Sequence, residues 1–275
     1  MAPKARSAMA ASAGSAWRGH VFLGLGFAIY DGPVAATHAH AHHAAQVVLC
    51  EGAELILESG ARRAAARGFV VPPDRTHAIA QGCAWATIIY VEPESDLGHR
   101  LATGGSDSVA GDDPASWARA AEGLDDLRCG PIRTWDAART LVDQLRSHLL
   151  GPVPVQRSVP PPISALLQLL PGALDAPIRL QALAARVGLS ESRLGHLVSE
   201  HLGLSFRRLV LWLRLRAATD ALARACTVTD AAHAAGFADA AHLTRAFRRM
   251  LGVAPGAISR SVTWHAAQPH RDPLP

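Results

Sequence analysis

The chain has 275 residues, 49% of them hydrophobic and 18% charged, which gives length for two domains with a core in each and excludes an intrinsically disordered protein. The net charge is +4, and of the 27 basic residues only Lys4 is a lysine, so nearly all positive charge sits on planar guanidinium groups suited to phosphates and guanines. Four cysteines without a C-x-x-C spacing argue against a disulfide framework, and no apolar run approaches a membrane span.

In chain order, residues 1–16 are Ala- and Ser-rich without the apolar core of a signal peptide, and are expected to be disordered in a cytoplasmic protein. Residues 17–91 carry strand signals. The runs VFLGLGFAIY, QVVLC, AELILES, GFVV and ATIIYV are separated by turn residues such as Asp31-Gly32-Pro33, Glu51-Gly52 and Ser59-Gly60, a pattern that predicts a small sandwich or barrel. Between the first two runs lies Thr37-His38-Ala39-His40-Ala41-His42-His43-Ala44-Ala45-Gln46. Strand alternation would turn His38, His40 and His42 to one face, and His77 follows a Pro-Pro turn.

Gly32, His40, His42, Gln46 and Gly52, with Gly68, Pro73, Asp74 and His77, resemble the two signature motifs of the cupin superfamily. The resemblance implies a β-barrel and, in metal-binding members, a divalent ion held by His, His, Glu and His. The counterparts are His40, His42, Gln46 and His77, with Gln46 in place of Glu and Asp74 in place of a Gly. Regulator-type cupins keep the barrel for an organic effector. A metal, an organic effector and a solvated histidine rim stay open.

Residues 93–113, rich in Pro, Gly, Ser and Asp, predict loop, and 114–123 and 135–150 predict helices. Ala138, Leu141, Val142, Leu145, Leu149 and Leu150 form one stripe on the second, to be covered by its own domain or by a second copy of the chain. The five prolines within 151–162 make a stiff linker. The domain boundaries are therefore 17–150 for the N-terminal domain and 163–265 for a helical one, with a disordered tail at 266–275.

The helical part is basic, with 13 Arg against 7 Asp or Glu in 163–275, and it contains a repeat. GLSESRLGHLVSEHLG (188–203) returns as GFADAAHLTRAFRRMLG (236–252), with opening glycines 48 residues apart. Each copy predicts a turn Gly, a short polar cap and an amphipathic helix, at 191–202 and 240–251. A long helix at 205–224 joins two such helix-turn-helix units.

The stretch from about residue 180 to 260, above all GFADAAHLTRAFRRMLGVAP, resembles the DNA-binding domain of AraC/XylS-family regulators. By that resemblance base contacts fall at Ser192, Gly195 and His196 in the first unit and at Ala241, His242 and Arg245 in the second. Gly195 and Ala241 have no polar group to offer. The DNA-binding set is then Ser192, Arg193, His196, His242, Arg245, Arg248 and Arg249, with Arg245 reading a base and Arg248 and Arg249 holding phosphates.

These readings combine into an α+β two-domain chain: a cupin-like β-barrel with trailing helices, then an all-α tandem helix-turn-helix domain. The family resemblance implies a transcription regulator, more often an activator, with double-stranded DNA, a small-molecule effector, RNA polymerase and a second copy of itself as partners. It implies no enzyme activity and no certain cofactor beyond a possible divalent metal. The alternatives are a metal-dependent cupin enzyme with a helical appendage and a regulator that senses a metal directly.

Overall fold

The computed structural model describes residues 17–93, 95–103, 113–127, 130–151, 160–174, 178–202, 204–258 and 261–265; the linker at 152–159 and the segments 1–16 and 266–275 lie outside them. The N-terminal strands are His20–Leu23 (β1), Phe27–Val34 (β2), Ala45–Cys50 (β3), Leu55–Ser59 (β4), Arg62–Ala66 (β5), Gly68–Val71 (β6), Ala78–Gln81 (β7) and Cys83–Val91 (β8), and a ninth, Thr263–His265 (β9), comes from the far end of the chain. They form a six-stranded sheet, β6-β3-β8-β2-β1-β9, and a three-stranded sheet, β5-β4-β7. The expected β-barrel is therefore two sheets and not a closed barrel.

Both faces of the larger sheet are buried, which is why its strands are continuously apolar. On β3 and β8, Val48, Cys50, Ala86, Ile88 and Tyr90 face the smaller sheet. Val47, Leu49, Ile89 and Val91 face the helices Asp96–Thr103 (α1) and Trp135–Leu150 (α3). The space between the sheets is filled by Phe69, Tyr30, Tyr90 and Trp117, the last from the helix Pro114–Arg119 (α2).

Two local expectations fail here. Asp31-Gly32-Pro33 is not a turn: Asp31 and Gly32 pair with Thr87 and Ala86, and Pro33 falls in a register shift between Gly32 and Val34, where its missing N–H costs no ladder bond. The loop expected over 93–113 contains α1. Ser95 Oγ accepts from Gly98 N (3.0 Å), and Leu97 and Leu101, one turn apart, are buried. Gly98 is required there, since a Cβ would lie 1.9 Å from the Glu92 carbonyl oxygen. Of the α3 stripe, Ala138, Leu141, Val142 and Leu145 pack with Trp135 in their own domain, Leu149 is partly covered and Leu150 is exposed.

The helical part comprises Pro161–Leu169 (α4), Leu180–Arg186 (α5), Glu191–Leu202 (α6), Phe206–Ala223 (α7), Val228–Ala234 (α8), Ala240–Leu251 (α9) and Pro255–Ile258 (α10). Gly188 and Gly236 take φ of +72° and +73° in the two turns, as a left-handed turn residue must. Ser190 Oγ accepts from Arg193 N (3.2 Å), and Asp239 caps α9. Thr227 caps α8 by accepting from Asp230 N (3.1 Å).

Helix α7 is the hub. Leu209 and Leu213 are buried, and so are Trp212, Leu215, Ala218 and Leu222 on other sides. Burial on more than one side follows from its position, because α7 lies between the helix-turn-helix units and the N-terminal sheet. One continuous apolar core accordingly runs through both parts of the chain.

Candidate functional site

Two arrangements carry chemistry, and they touch. The first is the exposed side of α6 and α9. Ser192, Arg193 and His196 are exposed on α6, and Arg245, Arg248 and Arg249 on α9, while Leu194, Leu197, Val198, Leu243, Phe247 and Met250 are buried behind them. The His196 Nε2 lies 3.6 Å from the Glu200 carboxylate, a neighbour that competes with any outside acceptor. His242 is half-buried, edge-on to Phe237 with ring centroids 5.1 Å apart. Its Nδ1 accepts from Ala238 N (3.4 Å), so the ring proton sits on Nε2. Among the described residues Arg245 has no ion-pair partner.

The second arrangement is histidine-rich. Strand alternation fails across 37–42, where the chain is not in a regular strand. His38 is exposed and apart, whereas His40, His42 and His77 converge, their ligand-capable nitrogens within 4.8 Å of one another. An isolated antiparallel bridge, His40 N to His77 O and His77 N to His40 O (2.9 Å each), holds two of them together. Asp74 takes φ +58°, so the left-handed turn survives where the motif has Gly, and Asp tolerates that region better than most residues.

The tautomers follow from the partners. Nδ1 donates to the backbone carbonyl of His38 from His40 (2.9 Å), of Ala44 from His42 (2.9 Å) and of Arg75 from His77 (2.8 Å). Carbonyls only accept, so all three Nδ1 atoms carry a proton and ligation would fall to the Nε2 atoms. His77 Nε2 is buried without a hydrogen-bond partner, whereas His42 Nε2 faces the Gln46 Oε1, an acceptor, so its lone pair is offered only when that amide turns over to present its NH2. Burial, reinforced for His77 by the neighbouring imidazoles, lowers the pKa values to about 4 for His42 and about 3 for His77. Neutral imidazoles fixed by second hydrogen bonds are the form that ligates a transition metal.

The two arrangements meet at the end of α9. Gly252 closes that helix at φ +73°, and a Cβ there would lie 2.5 Å from Cδ2 and 2.8 Å from Nε2 of His40, and 3.2 Å from Cδ2 of His42. His43 N donates to the Arg249 carbonyl (2.6 Å), satisfying a last-turn acceptor of α9 from the N-terminal domain. Beside it Glu92, fully buried, accepts from Trp212 Nε1 (2.6 Å) and lies 3.8 Å from Arg208 Nε and 3.9 Å from His43 Nε2. None of Glu92, Trp212, His43 and Gly252 was singled out as a site residue by sequence reasoning; the only signal was that Gly252 closes the second repeat.

Strand β9 completes the junction. It pairs in parallel with β1, and Trp264 packs edge-on to Phe247 of α9. Arg133 donates to His20 Nε2 (2.9 Å), so His20 Nδ1 donates to His265 Nε2 (2.8 Å). Burial lowers the pKa of both; Arg133 adds to this for His20 while Asp31 opposes it, and His20 adds to it for His265. With folded values below the free-imidazole 6.5, the separated strands bind more protons, so the pairing is fully stable above that pH and weakens as pH falls through it. Amide exchange of Thr263, whose N donates to the Gly19 carbonyl (2.7 Å), should lose protection between about pH 7.5 and about pH 5.5; unchanged protection would contradict this.

Comparison with known proteins bears on the first arrangement. Residues 183–261 match the family described as Helix-turn-helix domain. The chain is 32% identical over 101 residues to the HTH-type transcriptional regulator GlxA of Rhizobium meliloti (strain 1021), covering 36% of this chain and 31% of that protein. It therefore spans under a third of that relative's length. Among solved structures it is similar to a transcriptional regulator with an AraC-type DNA-binding domain from Chromobacterium violaceum (23% identity, 36% of this chain, 90% of that one, TM-score 0.35). It is also similar to ToxT from Vibrio cholerae (11% identity, 86% of this chain, 99% of that one, TM-score 0.45). The helical module at residues 183–261 is a helix-turn-helix domain.

Proposed function

We propose that this chain is a sequence-specific DNA-binding transcription regulator whose N-terminal domain senses a divalent transition-metal ion through His40, His42, His77 and Gln46. The observation that carries the reading is the histidine trio with three protonated Nδ1 atoms, seated against the closing Gly252 of the second DNA-reading helix. Three imidazoles and an amide oxygen suit zinc, nickel, cobalt or copper, the amide being the weak donor. A bound ion would supply a fixed positive charge among these donors.

The coupling is steric. The Nε2–Cδ2 edge of His40 that would turn to ligate is the edge on which Gly252 rests, so ligation and the seating of α9 share one space. Both DNA-facing surfaces are exposed with the domains docked, so the switch changes where α9 sits and not whether it is covered. A second copy of the chain and RNA polymerase belong to the same proposal as partners, in the cytoplasm, with activation as the expected output. The carboxylates nearest the trio, Asp74 and Glu92, serve His43 and Trp212, which favours a regulator over a metal-dependent enzyme.

The DNA-reading part is tested by Arg245→Ala beside His196→Ala. Arg245→Ala is expected to cost about 1–3 kcal/mol at the selected DNA site and to relax discrimination there. His196, already facing Glu200, is expected to matter less. A larger loss of discrimination from His196→Ala would overturn this assignment.

A further inference from the structure

We infer that Cys50 and Cys83 form a redox-active dithiol that hydrogen peroxide closes to an intramolecular disulfide. Spacing in the sequence hides the pair. Cys50 ends β3 opposite Ala86 of β8. Cys83 is an odd number of residues from Ala86, and regular alternation would turn it to the other face of the sheet. The register shift opposite Gly32 and Val34 places an extra residue in β8, which reverses the phase. Cys83 therefore joins Ala86, Ile88 and Tyr90 on the inner face, with its Sγ 3.5 Å from that of Cys50. Rotation about the two side chains must close this to about 2.05 Å for a disulfide.

The pair sits at the rim and not at the centre of the sandwich. Cys83 retains 9% exposure and Cys50 2%, and the adjoining residues Glu51, Gly52 and Ala84 are exposed. Cys83 is the point of attack. Its sulfur attacks one peroxide oxygen, the O–O bond breaks, and one water leaves with the thiol proton, giving the Cys83 sulfenic acid. The Cys50 sulfur then attacks the Cys83 sulfur, the S–O bond breaks, and a second water carries off the Cys50 proton. Two thiols are oxidised, and the peroxide is reduced to two waters. At the other end of the same strand pair, Gln46 lies opposite Tyr90 and Ala45 opposite Val91, next to the histidine trio and Glu92. The disulfide would clamp that pair against sliding.

The test uses the full chain with Cys129→Ser and Cys226→Ser, treated with hydrogen peroxide and read by intact mass and by peptide mapping without reductant. The expected result is a loss of about 2 Da, two hydrogens, with a Cys50–Cys83 linked peptide that dithiothreitol reverses. In Cys50→Ser, Cys83 should be trapped by dimedone; in Cys83→Ser, Cys50 should stay unmodified. An unchanged mass, or oxygen adducts without the linked peptide, would overturn the dithiol. Labelling of Cys50 in Cys83→Ser at the rate seen for Cys83 would overturn the order of attack.

Discussion

Glu92→Leu is expected to lower the stability of the full chain by about 3 kcal/mol and to release the helix-turn-helix part from the N-terminal sheet. Glu92 is fully buried between the two parts, accepting from Trp212 Nε1 and facing Arg208 and His43. Leucine keeps the volume but leaves the Trp212 donor without an acceptor and removes the carboxylate from between two basic groups. Glu92→Gln keeps an acceptor for Trp212 and is expected to cost less, about 1 kcal/mol. Urea unfolding gives the stabilities, and protease cleavage in residues 152–159 reports separation of the parts. A Glu92→Leu protein within about 0.5 kcal/mol of the parent, the range of an ordinary surface change, would show that this contact does not hold the domains together.

His77→Ala is expected to weaken cobalt or zinc binding by roughly 100-fold or more, since losing even a partner of a ligand typically costs 10–100-fold. Its Nε2 is buried without a hydrogen-bond partner and faces the same small volume as those of His40 and His42. His38→Ala is the matched control. That imidazole is exposed and outside the trio, and only its backbone carbonyl, kept in the variant, supports His40. Calorimetric titration and the visible spectrum of the cobalt form measure both. Equal affinity of His77→Ala and parent would remove the trio as a metal site.

What could be read from the sequence was what depends on near neighbours. The paired helix-turn-helix units are specified within about 17 residues each: a glycine able to take positive φ, a polar cap and an apolar stripe at helical spacing. Gly188, Ser190, Gly236 and Asp239 all take those parts. The histidines were legible as a group, but their faces were not, because the segment is irregular and its backbone partners are distant, that of His40 being 37 positions away. Long-range phase was hidden for the same reason: the extra residue in β8 that turns Cys83 inward is visible only once β2 is beside it. The junction was least legible. Trp212 carried no signal of its own within the long helix, and Thr263–His265 fell inside the domain expected to be all helical, because their partners Glu92 and β1 are 120 and more than 240 residues away.

On the proposed function, one chain both reads a DNA sequence and changes that reading with metal at the histidine trio. The most direct measurement is the affinity of the full chain for a duplex selected from random DNA and for its scrambled counterpart, at one fixed salt concentration, with cobalt and with chelator. A preference of about 1,000-fold or more for the selected duplex is expected, with a change of about fivefold or more in that affinity between the two conditions. Equal affinity for the two duplexes, or a cobalt-loaded protein that binds its site as the metal-free protein does, would contradict it.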